Sequence, residues 1–345
     1  MIGIIRAFRL ATRFAAWVTP HAKEWHRKRH ENRVEGERHL EAGNYAEAER
    51  HLTVAIAQAE QRRYSIAKRN ALRLQLAEAQ RQQGKLDDAE RSARLAMEDA
   101  GQDGALRASA LEALAEAQIQ RGDFAAADKS IEDALALPAD LTSLARRSHL
   151  LARVRHQAGR AKEAVPAFER TIALHEKAFG QDHLETGHRL SELGLLHREQ
   201  GNHSEAQRHL KRALKIHETH CGPDSHEVTN DLGNLAASLE ESGDLDGAAA
   251  QYERALKLKE RVVGGDMEQL AEMQVKVAGL YLHWGRYGPA RELVTQAITR
   301  LERKSGRRLA TALETLAQLE DASGRRKEAE ALRNRALTVA AGNPT

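Results

Sequence analysis

The chain is 345 residues long, 30% charged and 4% aromatic, with a formal net charge of +3. A single cysteine, Cys221, excludes an internal disulfide framework and suits a reducing, cytoplasmic setting. No apolar run reaches the roughly 18 residues that a membrane-spanning helix requires. Charge is uneven: residues 1–33 carry eight Lys or Arg against two Glu, or +6, so the remainder is about −3 and a basic repeat surface for nucleic acid is not supported.

From Ile2 to Thr19 the pattern predicts a helix, closed by Pro20. Arg6, Arg9 and Arg13 fall in one narrow stripe, while Ile5, Phe8, Phe14 and Trp17 belong to the opposite, apolar side. Lys23, Arg27, Lys28 and Arg29 follow. Three readings stay open for this basic amphipathic segment, residues 1–29. It caps the first structural unit behind it, it lies on an anionic membrane surface, or it is a targeting segment. Arginines interrupting the apolar stretch argue against a secretory signal.

Beyond residue 30 a self-similar pattern takes over. Gly43, Gly84, Gly122, Gly159, Gly201, Gly243, Gly285 and Gly324 lie 41, 38, 37, 42, 42, 42 and 39 residues apart, each followed five residues later by alanine. Seven residues before each glycine comes another small residue: Gly36, Ala77, Ala115, Ala152, Gly194, Ala236, Ala278 and Ala317. Twelve after it comes alanine again, except at Thr171. Apolar residues recur between these marks at three- and four-residue spacing, as in Leu232, Leu235 and Leu239. That spacing predicts two helices per repeat. The glycine ends the first helix in a left-handed conformation, and the small residues let the two helices approach closely. A period in this range means stacked units over residues 30–341 in place of one globular core.

Small, small, Gly, Ala, Ala at these offsets resembles the tetratricopeptide repeat family. The stretch Leu232 to Leu258 ("LGNLAASLEESGDLDGAAAQYERALKL") carries its helix-turn-helix pattern almost throughout. The resemblance implies an all-α, right-handed superhelix of about eight hairpins. In repeat 1, Glu35 and His39 stand where the family has apolar residues.

Between the middle repeats, Gly180-Gln181-Asp182, Gly222-Pro223-Asp224 and Gly264-Gly265-Asp266 recur at intervals of 42. Each aspartate is expected to cap the next helix, with Glu185, Glu227 or Gln269 completing a capping box. "ALKIHETHCGPDSHEV" and "ERTIALHEKAFGQDHLET" are similar to the 42-residue repeats of kinesin light chains, a likeness that marks a repeat subtype and not attachment to a motor.

The resemblance places the first helix of each repeat on a concave face, with the positions nine and thirteen before each glycine lining a groove. The residues so implied are Arg146, His188, Asn230, Asn234 and Lys276, with His149 and Arg153 adding polar and positive groups nearby. Asn230 and Asn234 are one turn apart, and their amides both donate and accept, as an extended peptide backbone requires. The Lys/Asn clamp that chaperone-binding members use for a C-terminal carboxylate is missing. Histidines crowd residues 175–226, mostly assigned to polar faces, and His217, His220 and Cys221 have a spacing that could chelate a metal, yet no second cysteine or HExxH accompanies them. No phosphate loop or nucleophile elbow is present.

The sequence thus predicts a non-enzymatic interaction scaffold or adaptor, without cofactor or metal, that takes a protein or peptide ligand in its groove. A peripheral membrane contact through the first helix belongs to this reading. The alternative is a self-assembling structural unit, a homo-oligomer or filament of stacked solenoids.

Overall fold

A computed structural model describes residues 31–262, 267–302 and 306–341. Among the described residues every regular element is a helix, so the all-α class is as expected. The chain divides into two compact units, residues 1–174 and 175–345.

The first unit opens with α1 (residues 31–41), followed by α2 (Tyr45–Gln61), α3 (Ile66–Gln82), α4 (Leu86–Ala100), α5 (Gly104–Arg121), α6 (Phe124–Leu135) and α7 (Leu141–Gln157). It ends within α8 (Ala161–Phe179). The second unit contains α9 (Leu184–Glu199), α10 (His203–His220), α11 (His226–Glu241), α12 (Leu245–Val262), α13 (Met267–His283), α14 (Tyr287–Leu301), α15 (Arg307–Ala322) and α16 (Arg326–Ala340).

Each repeat glycine does what its position predicts. All eight have positive φ, from 71° at Gly285 to 88° at Gly243. After each, the next backbone N–H reaches back five residues, as Asn202 N does to His197 O (2.8 Å) and Asp244 N to Leu239 O (2.9 Å). This closure satisfies carbonyls that the helix end would leave open, and it turns the chain into an antiparallel second helix. Alanines five and twelve residues later are buried at the contact. Thr171, the exception, is also buried and turns its hydroxyl onto the Ala167 carbonyl (2.9 Å).

The two units fill their interiors differently. The second has a continuous leucine-rich core from Leu210 to Val339. In the first, smaller and more alanine-rich clusters recur from hairpin to hairpin. Polar groups seal some of these contacts: Ser92 Oγ donates to Gln80 Oε1 (2.8 Å), and Ser130 Oγ repeats this with Gln118 (2.9 Å).

Helix starts depart from expectation. His183, not Asp182, caps α9 by accepting from the Glu185 N–H at Nδ1 (3.2 Å). Ser225, not Asp224, caps α11 by accepting from the Val228 N–H (3.3 Å). Glu185 and Glu227 consequently fall one position short of a capping box, and Asp224 instead pairs with Arg261 at 2.9 Å. The third aspartate, Asp266, lies outside the described residues. Aspartates do cap elsewhere, with Asp103, Asp123 and Asp140 holding the starts of α5, α6 and α7.

Candidate peptide-binding faces

In a helix, positions separated by four, three and four residues lie along one stripe. Counted back from each repeat glycine, the positions thirteen, nine, six and two before it form such a stripe on every first helix.

In the first unit this stripe borders a cavity of about 470 Å3. Arg81 and Gln82 reach it from α3, Glu116, Ile119 and Gln120 from α5, and Arg153 and Gln157 from α7. Arg81 is clamped by Glu78 (2.7 Å) and lies 3.5 Å from Glu116. Burial pushes the Glu116 carboxyl above the usual carboxylate range, against the opposing pull of Arg81. Arg153 is exposed and forms no ion pair among the described residues. Of the residues lining this cavity, Arg153 was expected from sequence, whereas Glu116 and the three glutamines were not. The signal was available, because Gln82, Gln120 and Gln157 all stand two residues before a repeat glycine.

Arg146 and His149 are also on α7, in other settings. Arg146 is exposed, yet its Nη2 is 2.9 Å from Glu112 Oε2, so its charge already has a partner. His149 is half-buried, its ring edge-on to Phe168 with centroids 6.0 Å apart. Position nine before the glycine is not uniformly groove-lining: Leu150 occupies it in this repeat and is buried in the core. An apolar side chain there gains more from packing than from facing a ligand.

In the second unit, His188 lies on α9, Asn230 and Asn234 on α11, and Lys276 on α13. Asn230 and Lys276 are exposed and Asn234 is half-buried. Among the described residues, the two amides make no side-chain hydrogen bond and Lys276 makes no ion pair. Lys276 stands one turn after Glu272, which is held by Arg308. His188 tilts against the His217 ring with centroids 4.8 Å apart.

Behind this face is a polar cluster that sequence reasoning did not assemble. Asp231 accepts from the Ser191 hydroxyl (2.5 Å) and meets His217 Nδ1 (2.6 Å), both Asp231 and His217 being 2% exposed. The arrangement is structural: α9, α10 and α11 are tied by one carboxylate. The serine and histidine both contact that carboxylate, so no relay runs from serine to histidine.

Of the nine histidines crowded into residues 175–226, five are exposed or half-buried, and four depart from the polar-face expectation. His175, His197, His209 and His217 are buried. His220 Nε2 lies 2.6 Å from the Asp182 carbonyl while His217 is held by Asp231, so the two have different partners. Among the described residues no group of three or more His, Cys, Asp or Glu could hold a metal ion. Burial and the neighbouring Glu227 and Asp231 raise the Cys221 thiol. Among the same residues no helix is long and apolar enough to cross a membrane. The N-terminal contact residues Ile5, Arg6, Phe8, Arg9, Arg13, Phe14 and Trp17 lie outside them.

Profiles of the tetratricopeptide repeat match residues 70–94, 110–145, 144–219 and 226–303, together more than half of the chain. No curated protein sequence matches significantly. Among solved structures, a signal-transduction ATPase with numerous domains and a tetratricopeptide sensor, from Pyrococcus horikoshii, is 12% identical with a TM-score of 0.64. The match covers 87% of this chain and 45% of that one. The C-terminal part of a repeat protein from Cytophaga hutchinsonii is 14% identical, covering 80% of this chain and 97% of its own, at a TM-score of 0.58. A kinesin-light-chain-type protein of nearly identical repeats from Podosopora anserina is 21% identical, covering 59% and 97%, at 0.51. At these identities the likeness is one of fold.

Proposed function

The chain belongs to the tetratricopeptide repeat family, whose members generally act as protein-interaction scaffolds, and on that premise we propose that it is a non-catalytic adaptor capturing a peptide or partner segment on its first-helix faces. The observation that carries this reading is the amide stripe. Gln82, Gln120 and Gln157 border the cavity beside Arg153 in the first unit, and Asn230 and Asn234 stand ungripped in the second. Amides offer a donor and an acceptor to each peptide unit of an extended ligand. A surface held in place by packed helices binds with little ordering cost.

Affinity capture from the native host, with wild type beside Asn230→Ala/Asn234→Ala and Arg153→Ala/Gln120→Ala, tests the assignment. Loss of the same partner with an unchanged circular dichroism spectrum supports it. Retention by both variants removes these residues from the site.

The basic segment at residues 1–29 supports a second, peripheral contact with an anionic membrane surface in the cytoplasm. Co-sedimentation with anionic liposomes tests it. Equal binding by full-length protein and by a variant beginning at Arg33 eliminates the membrane contact.

A further inference from the structure

A second groove, on another side of the first unit, is unrelated to the amide stripe. It lies over α5 between α4 and α6, with a volume of about 570 Å3. Its cause is local. The helix α6 has 12 residues, against 15 in α4 and 18 in α5, and it stops at Leu135 before Pro138 turns the chain into α7. A second helix of ordinary length would cover the apolar surface left behind. Met97 and Leu137 are consequently only half-buried where they pack against Leu111 and Ala134.

The rim is basic. Arg94, Arg107 and Lys129 face a single carboxylate, Asp133. Arg94 is shared with Glu90 at 3.3 Å, whereas Arg107 donates to the Gly101 carbonyl (3.1 Å), and neither Arg107 nor Lys129 has an ion pair among the described residues. An apolar floor with uncompensated positive charge at its edge selects its occupant. The chain's own N-terminal segment, at +6 over residues 1–33, is repelled by such a rim. Two second helices flanking a trough a few side chains wide match the shape in which one helix lays its apolar face.

We propose that this groove docks an acidic amphipathic helix of a partner protein. Two or three apolar side chains at helical spacing fill the floor over Met97, Leu111 and Leu137. Flanking Asp or Glu residues meet Arg107 and Lys129. Desolvated charge pairs at the edge of an apolar contact set the sign of the partner more than the strength of binding.

Selection from a display library of helical peptides on the full-length protein tests this. Enriched sequences are expected to carry apolar residues at i, i+3 and i+4 with acidic neighbours. Their binding is expected to fall about tenfold or more on Arg107→Glu/Lys129→Glu. Lys129 is exposed, so Lys129→Glu alone keeps the test intact if the double variant misfolds. Arg153→Ala, on the other face, is expected to leave the selected peptides bound, which separates this groove from the amide stripe. Enrichment of basic peptides, no enrichment, binding unchanged by Lys129→Glu, or saturation of the groove by dodecanoate in place of peptides would each overturn the proposal.

Discussion

His197 on α9 and His209 on α10 stack face to face, their ring centroids 5.5 Å apart and their planes within 4°. The same contact occurs in the first hairpin, where His39 and His51 stack at 5.5 Å and 13°. Both pairs stand four residues before and eight after a repeat glycine. Each is accompanied by a glycine at the close approach (Gly36, Gly194), a facing leucine (Leu52, Leu210) and a Glu–Arg pair (Glu47–Arg50, Glu205–Arg208). Repeats 1 and 5 are therefore one hairpin variant. Removing the Cβ at the crossing makes room for leucine, and the resulting helix spacing lets two flat rings stack. His39, which stands where the family has an apolar residue, has a packing role there.

Stability is expected to depend on pH through His209. Burial, with Arg208 and His197 beside it, pushes this imidazole down to about 4, while Glu205 pulls weakly upward and Arg212 adds to the depression. Between about pH 6.5 and 4 the unfolded chain holds a proton here that the folded chain refuses, so stability falls as pH falls through that window. The loss is about 2 kcal/mol at pH 5 and approaches about 3 kcal/mol below pH 4. Urea midpoints of wild type and His209→Phe, compared at pH 7 and pH 5, check this. Parallel losses in the two proteins would show that the pH dependence comes from elsewhere.

The fold was legible because its constraints are backbone constraints. A left-handed helix end needs glycine, and a close crossing needs alanine or glycine, so Gly201, Ala206 and Ala213 mark a hairpin whatever surrounds them. Partner-facing residues leave no such trace, since exposure alone allows many side chains. The stripe could be drawn from register, but whether a given position faces outward depends on neighbouring helices, as burial of Leu150 shows. Nor could spacing tell which of two adjacent polar residues caps a helix. The Asp231–His217 contact joins residues of different repeats, which sequence proximity does not pair.

The glycines at the close approach should resist replacement. A Cβ added at Gly194 would sit 2.7 Å from Leu210 Cγ and 3.3 Å from the Ala206 carbonyl oxygen. The leucine can shift but the backbone cannot, so Gly194→Ala is expected to cost about 1–3 kcal/mol. Gly194→Ala/Leu210→Ala relieves only the side-chain clash and adds a cavity, so it should be no more stable than the single variant. Thermal unfolding decides this. A Gly194→Ala protein as stable as wild type would mean that the helices separate freely.

At the start of α11 the cap assignment distinguishes neighbours. Ser225→Ala removes the acceptor for the Val228 N–H and is expected to cost about 1 kcal/mol. Asp224→Ala removes only an exposed pairing with Arg261 and should cost less than about 0.5 kcal/mol. The reverse order in chemical denaturation would return the cap to the aspartate.

Arg147 carries the largest predicted effect of a single substitution. It is 3% exposed, with Nε 2.8 Å from Glu112 Oε1 and Nη1 2.8 Å from the Ala134 carbonyl, so it joins α7 to α5 and to the end of α6. Glu112 also holds Arg146 at 2.9 Å. Arg147→Met leaves Glu112 with only the exposed Arg146 as a partner and deprives the Ala134 and Leu137 carbonyls of their donor, and is expected to cost about 3 kcal/mol. Glu112→Leu should cost less, because Arg147 keeps its carbonyl acceptors. In Glu112→Leu/Arg147→Met neither charge remains to be stranded, and apolar packing replaces the pair. The double variant should recover most of the loss, giving a coupling that additive single effects cannot reproduce. If the double variant is as unstable as the sum of the singles, the pair contributes through shape alone, and the cross-repeat role of its charge is refuted.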